Sequence, residues 1–362
     1  MKKALAFVMS LTLMAAMLTG CGSAASSSEA PAPAESSAAE ESKEEAAESS
    51  EEAGAADYSN EKIAVIFNSV IVDGGYNEGI FNHMKDLQNQ YGFQLSYQEN
   101  VGDTEINDVL RNYASDGYGL ILDAEQYHCE QIAEIAPEFP DTKFGCINGY
   151  VACAPNFMSV ASDMWQHVYL GGVMSGMVTK SNKIGLITFS TNSDSALTML
   201  AAYSEGAKAG NPDCEVIHVA TGSFSDLAAG KEMAASLVSQ GCDVILCNSG
   251  DCNPAVIEYC IEQGVYSVSA ITNRNDFDEK YVLGSTVTNN NAMVDMIVLG
   301  YLQGGFDETG SVYVGGLNED IEEFVINPTV MDDYPQEVFD KIDEIKGKIE
   351  SGEITVELPS SK

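Results

Sequence analysis

From residue 61 onward the chain alternates short β-branched apolar runs with amphipathic stretches, and this rhythm predicts strands and helices in turn. Residues 63–67, 93–98, 120–123, 143–147 and 157–160 read as strands. The intervening 80–90, 106–115 and 130–139 carry apolar residues at helical spacing. Pro137 and Pro140 punctuate the third helix. Strands separated by helices at this spacing imply a parallel sheet with right-handed crossovers, an α/β fold.

A second set repeats the first. Helix 164–179 carries Gly171, Gly172, Ser175 and Gly176, small residues that permit close backbone packing. Strands at 183–188, 215–220, 244–247 and 266–270 then alternate with helices at 195–209, 227–239 and 254–263. A strand at 281–285, a helix near 289–303, a strand at 311–315 and a charged helix at 336–351 complete the chain. Two doubly wound units joined near residues 160–163 and 284–288 describe two lobes about a hinge. The expected division is 59–162 with about 287–325 in the N-terminal lobe and 163–286 with 326–362 in the C-terminal lobe. Ligands of such a body bind between the lobes, at the carboxyl ends of the strands.

The stretch that joins the first strand to the first helix is the first candidate site. Asp73-Gly74-Gly75-Tyr76-Asn77-Glu78-Gly79 combines glycines that allow a sharp turn with a flat ring and an amide that both donates and accepts. An ordinary βα turn with a surface tyrosine is the other reading of the same residues.

Composition changes the picture at the N-terminus. Lys2 and Lys3 precede an apolar stretch, 4–17, too short to span a bilayer, which reads as a signal peptide over residues 1–21. Residues 22–57 hold ten acidic residues and one lysine among Ser, Ala and Pro, so 22–58 reads as a disordered tether. The formal charge of −38 argues against nucleic-acid partners. Eight cysteines lie beyond Cys21. Several sit in or beside apolar strands with no close CxxC pair, so free buried thiols are expected and a metal or iron–sulfur site is not.

Leu18-Thr19-Gly20-Cys21 resembles the lipobox of bacterial lipoproteins, which implies lipidation of Cys21 and attachment to the extracytoplasmic face of the cell membrane. The body resembles the basic membrane protein family, which includes the purine nucleoside receptors of ABC transporters. The resemblance rests on Gly206 to Asp213, Gly222-Ser223-Phe224-Ser225-Asp226, Gly230-Lys231-Glu232, Ser239 to Ile245 and Gly264-Val265-Tyr266. Ala136 to Phe144 and Tyr169-Leu170-Gly171-Gly172 add to it. It implies a two-lobed fold of the type I periplasmic-binding-protein kind. It also implies a monomer that delivers a purine nucleoside or nucleobase to a permease and ATPase complex, with no cofactor and no enzymatic activity. By the same similarity Tyr76 and Phe224 are the two rings that clamp a base, Asn77 reads its edge, and Asn248-Ser249-Gly250 is a small-residue loop on the cleft. Asp73 and Asp226 fall in the two ring-bearing stretches and complete the ligand set. Where the family has an Asp and a Lys for the ribose, this chain has Ile271 and Thr288.

Two further residues are candidates by position. Asp123 ends a strand and so points toward the cleft mouth, where it either accepts from a ligand N–H or caps the next helix. Trp165 follows the first hinge and either lines the cleft or packs. The four histidines are scattered, and neither a nucleophile elbow nor a phosphate loop is present. A sensing or adhesion lipoprotein of the same fold is the alternative to a transport role.

Overall fold

A computed structural model describes residues 57–72 and 76–357. In chain order its elements are β1 (Lys62–Ile66), α1 (Tyr76–Tyr91), β2 (Gln94–Gln98), α2 (Ile106–Ser115), β3 (Leu120–Asp123), α3 (Cys129–Ile135), β4 (Lys143–Ile147) and β5 (Phe157–Ser162). After the first crossing come α4 (Trp165–Val178), β6 (Lys183–Thr188), α5 (Asp194–Gly210), β7 (Glu215–Ala220), α6 (Leu227–Ser239), β8 (Val244–Asn248), α7 (Cys252–Gln263), β9 (Tyr266–Ile271) and β10 (Val282–Thr288). The chain then returns through α8 (Asn290–Gln303) and β11 (Val312–Gly315), and ends with β12 (Glu322–Ile326) and α9 (Gln336–Glu350).

These strands form two six-stranded sheets, ordered β11-β5-β4-β3-β1-β2 and β12-β10-β9-β8-β6-β7. Among the described residues every strand pair is parallel except β10 with β12. The central strands read as unbroken apolar runs because helices cover both faces of each sheet, so alternation has no solvent face to mark. β12 was not foreseen. It pairs with β10 in the second sheet, so the third crossing falls between Gly315 and Glu322, ahead of the boundary expected near residue 325. Its sequence, Glu-Glu-Phe-Val-Ile, opens with two acids and hides the strand. Glu322 is nonetheless buried, beside the His167 ring and the Thr288 hydroxyl.

The glycine-rich α4 is the spine of the second half. A side-chain carbon on Gly172 would lie 2.5 Å from the carbonyl oxygen of Tyr203, so only glycine lets α4 and α5 cross backbone to backbone. Tyr203 closes the contact by donating its hydroxyl to Ser175, 2.8 Å away.

No helix among the described residues is long and apolar enough to cross a membrane. Cys21, the signal peptide and the tether up to residue 56 lie outside the described residues.

Candidate ligand-binding cleft

Three segments pass between the sheets: the exit from β5, the step from β10 into α8, and the Gly316–Ile321 turn before β12. Two cavities open beside them. The first, about 340 Å³, is lined by Tyr76, Gly79 and Ile80 from the first half, Ile271 to Asn273 from the second, and Val287 to Asn291 at the crossing. The second, about 350 Å³, is lined by Tyr76, Glu125, Gln126 and Asn148 together with Ala161, Ser162 and Met164 at the other crossing. Both are of the size that holds a small ligand. Tyr76 is common to the two.

Helix α1 begins at Tyr76, four residues earlier than its apolar spacing suggests, because Asn77 is buried in line with Ile80, Met84 and Leu87. The tyrosine therefore stands on a helical turn. Its hydroxyl donates to the carbonyl oxygen of Ala124, 2.8 Å away, and accepts from Asn148 Nδ2 at 3.1 Å. Burial, reinforced by the neighbouring Glu125 carboxylate, holds the phenol far above its usual pKa, so it remains a donor throughout. Asn148 also donates to Asn290 Oδ1 at 3.3 Å and so ties the ring to the crossing.

Asn77 does not face the cavities as a base reader would. It is 3% exposed and donates Nδ2 to the carbonyl of Val70 at 3.1 Å, linking the first turn of α1 to the chain that leaves β1. Asp73 lies outside the described residues. Asp123 is wholly enclosed and meets His128 Nδ1 at 3.2 Å, directly behind the Ala124 carbonyl that fixes Tyr76. Burial raises the Asp123 pKa. Burial also works against charge on His128, but the Asp123 carboxylate outweighs it and holds the imidazole above its usual value. Trp165 is buried and packs into the core, since nearly all of α4 is covered by its neighbours.

On the second half the candidates gather around one loop. Phe224 is 58% exposed, and its ring stacks on Phe189 with centroids 4.2 Å apart and planes within 9°. Phe189 is the first residue beyond β6. Position at the carboxyl end of a strand was the signal that could have identified it, as it was for Asn148 after β4. The Asp251 N–H donates to the Phe224 carbonyl at 2.8 Å. Gly250 has φ +57°, and a side-chain carbon there would stand 2.8 Å from that same carbonyl oxygen. Ser249 is buried: its hydroxyl meets Thr221 Oγ1 at 2.6 Å and donates to the Ser223 carbonyl at 3.1 Å. Asp226 caps α6 by accepting from the N–H groups of Ala228 and Ala229. Ser249, Gly250 and Asp226 thus hold the loop that carries the ring. Neither Phe189 nor Phe224 lines the two cavities.

Ile271 is 40% exposed in the first cavity and has φ +71°, a conformation that β-branched residues avoid. The Thr288 hydroxyl donates to the buried Glu322 carboxylate at 3.2 Å. Among the described residues lining the first cavity there is no Asp, Glu, Lys, Arg or His. Asparagines 273, 289, 290 and 291 and the two threonines supply its polarity.

Residues 60–358 match the profile of the Bmp family, described as ABC transporter substrate-binding protein, PnrA-like. Basic membrane protein A of Borreliella afzelii is 25% identical over 303 residues, covering 82% of this chain and 91% of that protein. The transcriptional activator protein med of Bacillus subtilis is 24% identical over 280 residues, covering 77% of this chain and 86% of its own. The crystal structure of an ABC transporter solute-binding protein from Aeropyrum pernix superposes with a TM-score of 0.69 at 17% identity, over 83% of this chain and 94% of that one, a likeness of fold. With the profile spanning both sheets and the crossings between them, the chain belongs to the Bmp family of PnrA-like ABC transporter substrate-binding proteins.

Proposed function

We propose that this protein is the lipid-anchored solute receptor of an ABC importer and that it captures a neutral purine, as free base or nucleoside, between its two halves. The observation that carries the reading is Tyr76, a hydrogen-bonded aromatic ring common to both cavities at the crossing. A planar ligand stacks on that ring. The Phe189–Phe224 pair provides the facing aromatic surface when the halves close about the crossings. The amide-rich first cavity suits a base edge, which presents alternating donors and acceptors. Apolar Ile271 and the engaged Thr288 hydroxyl offer nothing comparable to a charged grip on a ribose diol, which favours the free base. Closure presents the loaded receptor to a permease and ATPase complex, with Cys21 as the site of the anchor and the protein acting as a monomer.

A thermal-shift panel of purines, pyrimidines and their nucleosides on protein lacking residues 1–56 tests this. A ligand bound only by the native state raises the melting temperature by mass action, so purines are expected to shift it most. No shift with any of them at millimolar ligand overturns the proposal. The likeness to the transcriptional activator med favours a second reading, ligand sensing without transport. Ligand uptake that persists in cells lacking the protein would support that reading.

A further inference from the structure

Behind the second cavity two thiols lie closer together than unbonded sulfurs pack. Cys129 Sγ, at the start of α3, is 2.9 Å from Cys146 Sγ in β4, and both residues are wholly buried. Among the described residues no other two cysteine sulfurs are hydrogen-bonding neighbours. A second feature keeps the place open. A side-chain carbon on Gly149 would collide first with the Ser159 side chain and would also lie 2.9 Å from Cys129 Sγ, so glycine there leaves room for both. Proteins of this family work outside the cytoplasm, where disulfides form and persist.

We propose that Cys129 and Cys146 are joined by a disulfide in the exported protein, while the other cysteines of the body remain thiols. The bond stands directly behind the ligand cleft. β3 and β4 are neighbours, with Asp123 opposite Cys146, so a link from Cys146 to Cys129 brackets the segment between Asp123 and Cys129. That segment carries the Ala124 carbonyl that accepts from Tyr76, the Glu125 and Gln126 that line the second cavity, and the His128 that meets Asp123. A covalent tie there fixes the wall against which Tyr76 is positioned.

The oxidant is a small-molecule disulfide such as oxidised glutathione. Either cysteine can react first as its thiolate while the chain is still open, Cys129 for instance. The Cys129 thiolate attacks one sulfur of the oxidant, forming a mixed disulfide and releasing one thiol. Cys146 then loses its proton and attacks Cys129 Sγ, forming the internal bond and expelling the second thiol. Two electrons and two protons leave with the two released thiols. Burial of both sulfurs places these steps during folding after export and shields the finished bond from reductants.

Differential alkylation of the full chain, exported to an oxidising compartment, tests the proposal. The protein is denatured in N-ethylmaleimide, then reduced, labelled with iodoacetamide and mapped by mass spectrometry. Cys129 and Cys146 are expected to carry the second label in most molecules and the other cysteines of the body the first. In Cys146→Ser, Cys129 is expected to take the first label. Reduction while unfolded, followed by refolding under reductant, is expected to lower the melting temperature of the wild type by several degrees and to leave that of Cys146→Ser unchanged. The proposal is overturned if Cys129 and Cys146 carry the first label even after refolding in oxidised glutathione. It is equally overturned if Cys129 keeps the second label in Cys146→Ser, or if reduction shifts both proteins alike.

Discussion

The two halves hold their candidate aromatic rings by different means. In the first half Tyr76 stands on the opening turn of a helix, and its hydroxyl is held by Ala124 and Asn148. In the second half Phe224 has no polar handle. It is held by its backbone, through Asp251 and the space that Gly250 leaves, and by stacking on Phe189. One ring is fixed by hydrogen bonds at its edge, the other by a neighbour on its face. The Tyr76 ring is fixed by protein groups alone, whereas the Phe224 ring has one face already covered by Phe189.

This contrast can be broken by mutation. The largest effect is expected for Tyr76→Ala and Phe224→Ala. Calorimetric titration with the tightest ligand from the panel should show each losing roughly tenfold or more in affinity, about 1.4 kcal/mol. Tyr76→Ala should be the worse, since it also removes the hydroxyl that donates to the Ala124 carbonyl and accepts from the Asn148 amide. Wild-type binding by both variants would show that the rings are not the clamp.

Ile271→Asp should move selectivity and not merely weaken binding. Aspartate tolerates the left-handed backbone at φ +71° better than isoleucine and places a carboxylate in a cavity that has none among its described residues. Competition measurements should show affinity for nucleosides rising about fivefold relative to their free bases, roughly 1 kcal/mol. An unchanged ratio would place the sugar away from Ile271.

Gly250→Ala tests how the second ring is held. The added carbon meets the Phe224 carbonyl at a positive φ, so denaturant unfolding should show a loss of about 1–2 kcal/mol. Affinity should fall with it. Phe189→Ala is milder: the side chain is 38% exposed, so the fold should be unaffected. Losing the stacked neighbour should weaken binding a few-fold, in line with about 0.5–1.5 kcal/mol for an aromatic pair.

The smallest effect concerns the support behind Tyr76. The folded pKa of His128 lies above its unfolded value. The stability this contributes is full below about pH 6.5 and is lost as pH rises through the folded value. The melting temperature of the wild type should therefore fall more between about pH 6 and pH 8 than that of His128→Asn. Parallel pH profiles would show that the pair does not titrate in this window.

Part of the candidate cleft is legible in the sequence. Tyr76 stands in the glycine-containing step from a strand to a helix and Asp123 ends a strand, and the structure places Tyr76 in both cavities and Asp123 beside His128 behind it. Asn148 and Phe189 occupy equivalent positions but lack a motif. What makes them matter is a partner distant in sequence, Tyr76 for one and Phe224 for the other. Trp165, placed just after a crossing, could line the cleft or pack, and its burial on α4 shows that it packs.

The sequence by itself determined the alternation of strand and helix, the pairing of two similar units and the strand ends near the candidate site, because these follow from local periodicity and chain order. Only the tertiary structure decided which side chains face the cleft and which support it. Asn77, Asp123 and Ser249 are polar residues whose composition suits a ligand, but their hydrogen bonds go to the protein, since a buried polar group takes whatever partner packing brings within reach. Long-range contact also brought Cys129 to Cys146 across the seventeen positions that separate them, a proximity that no spacing along the chain announces.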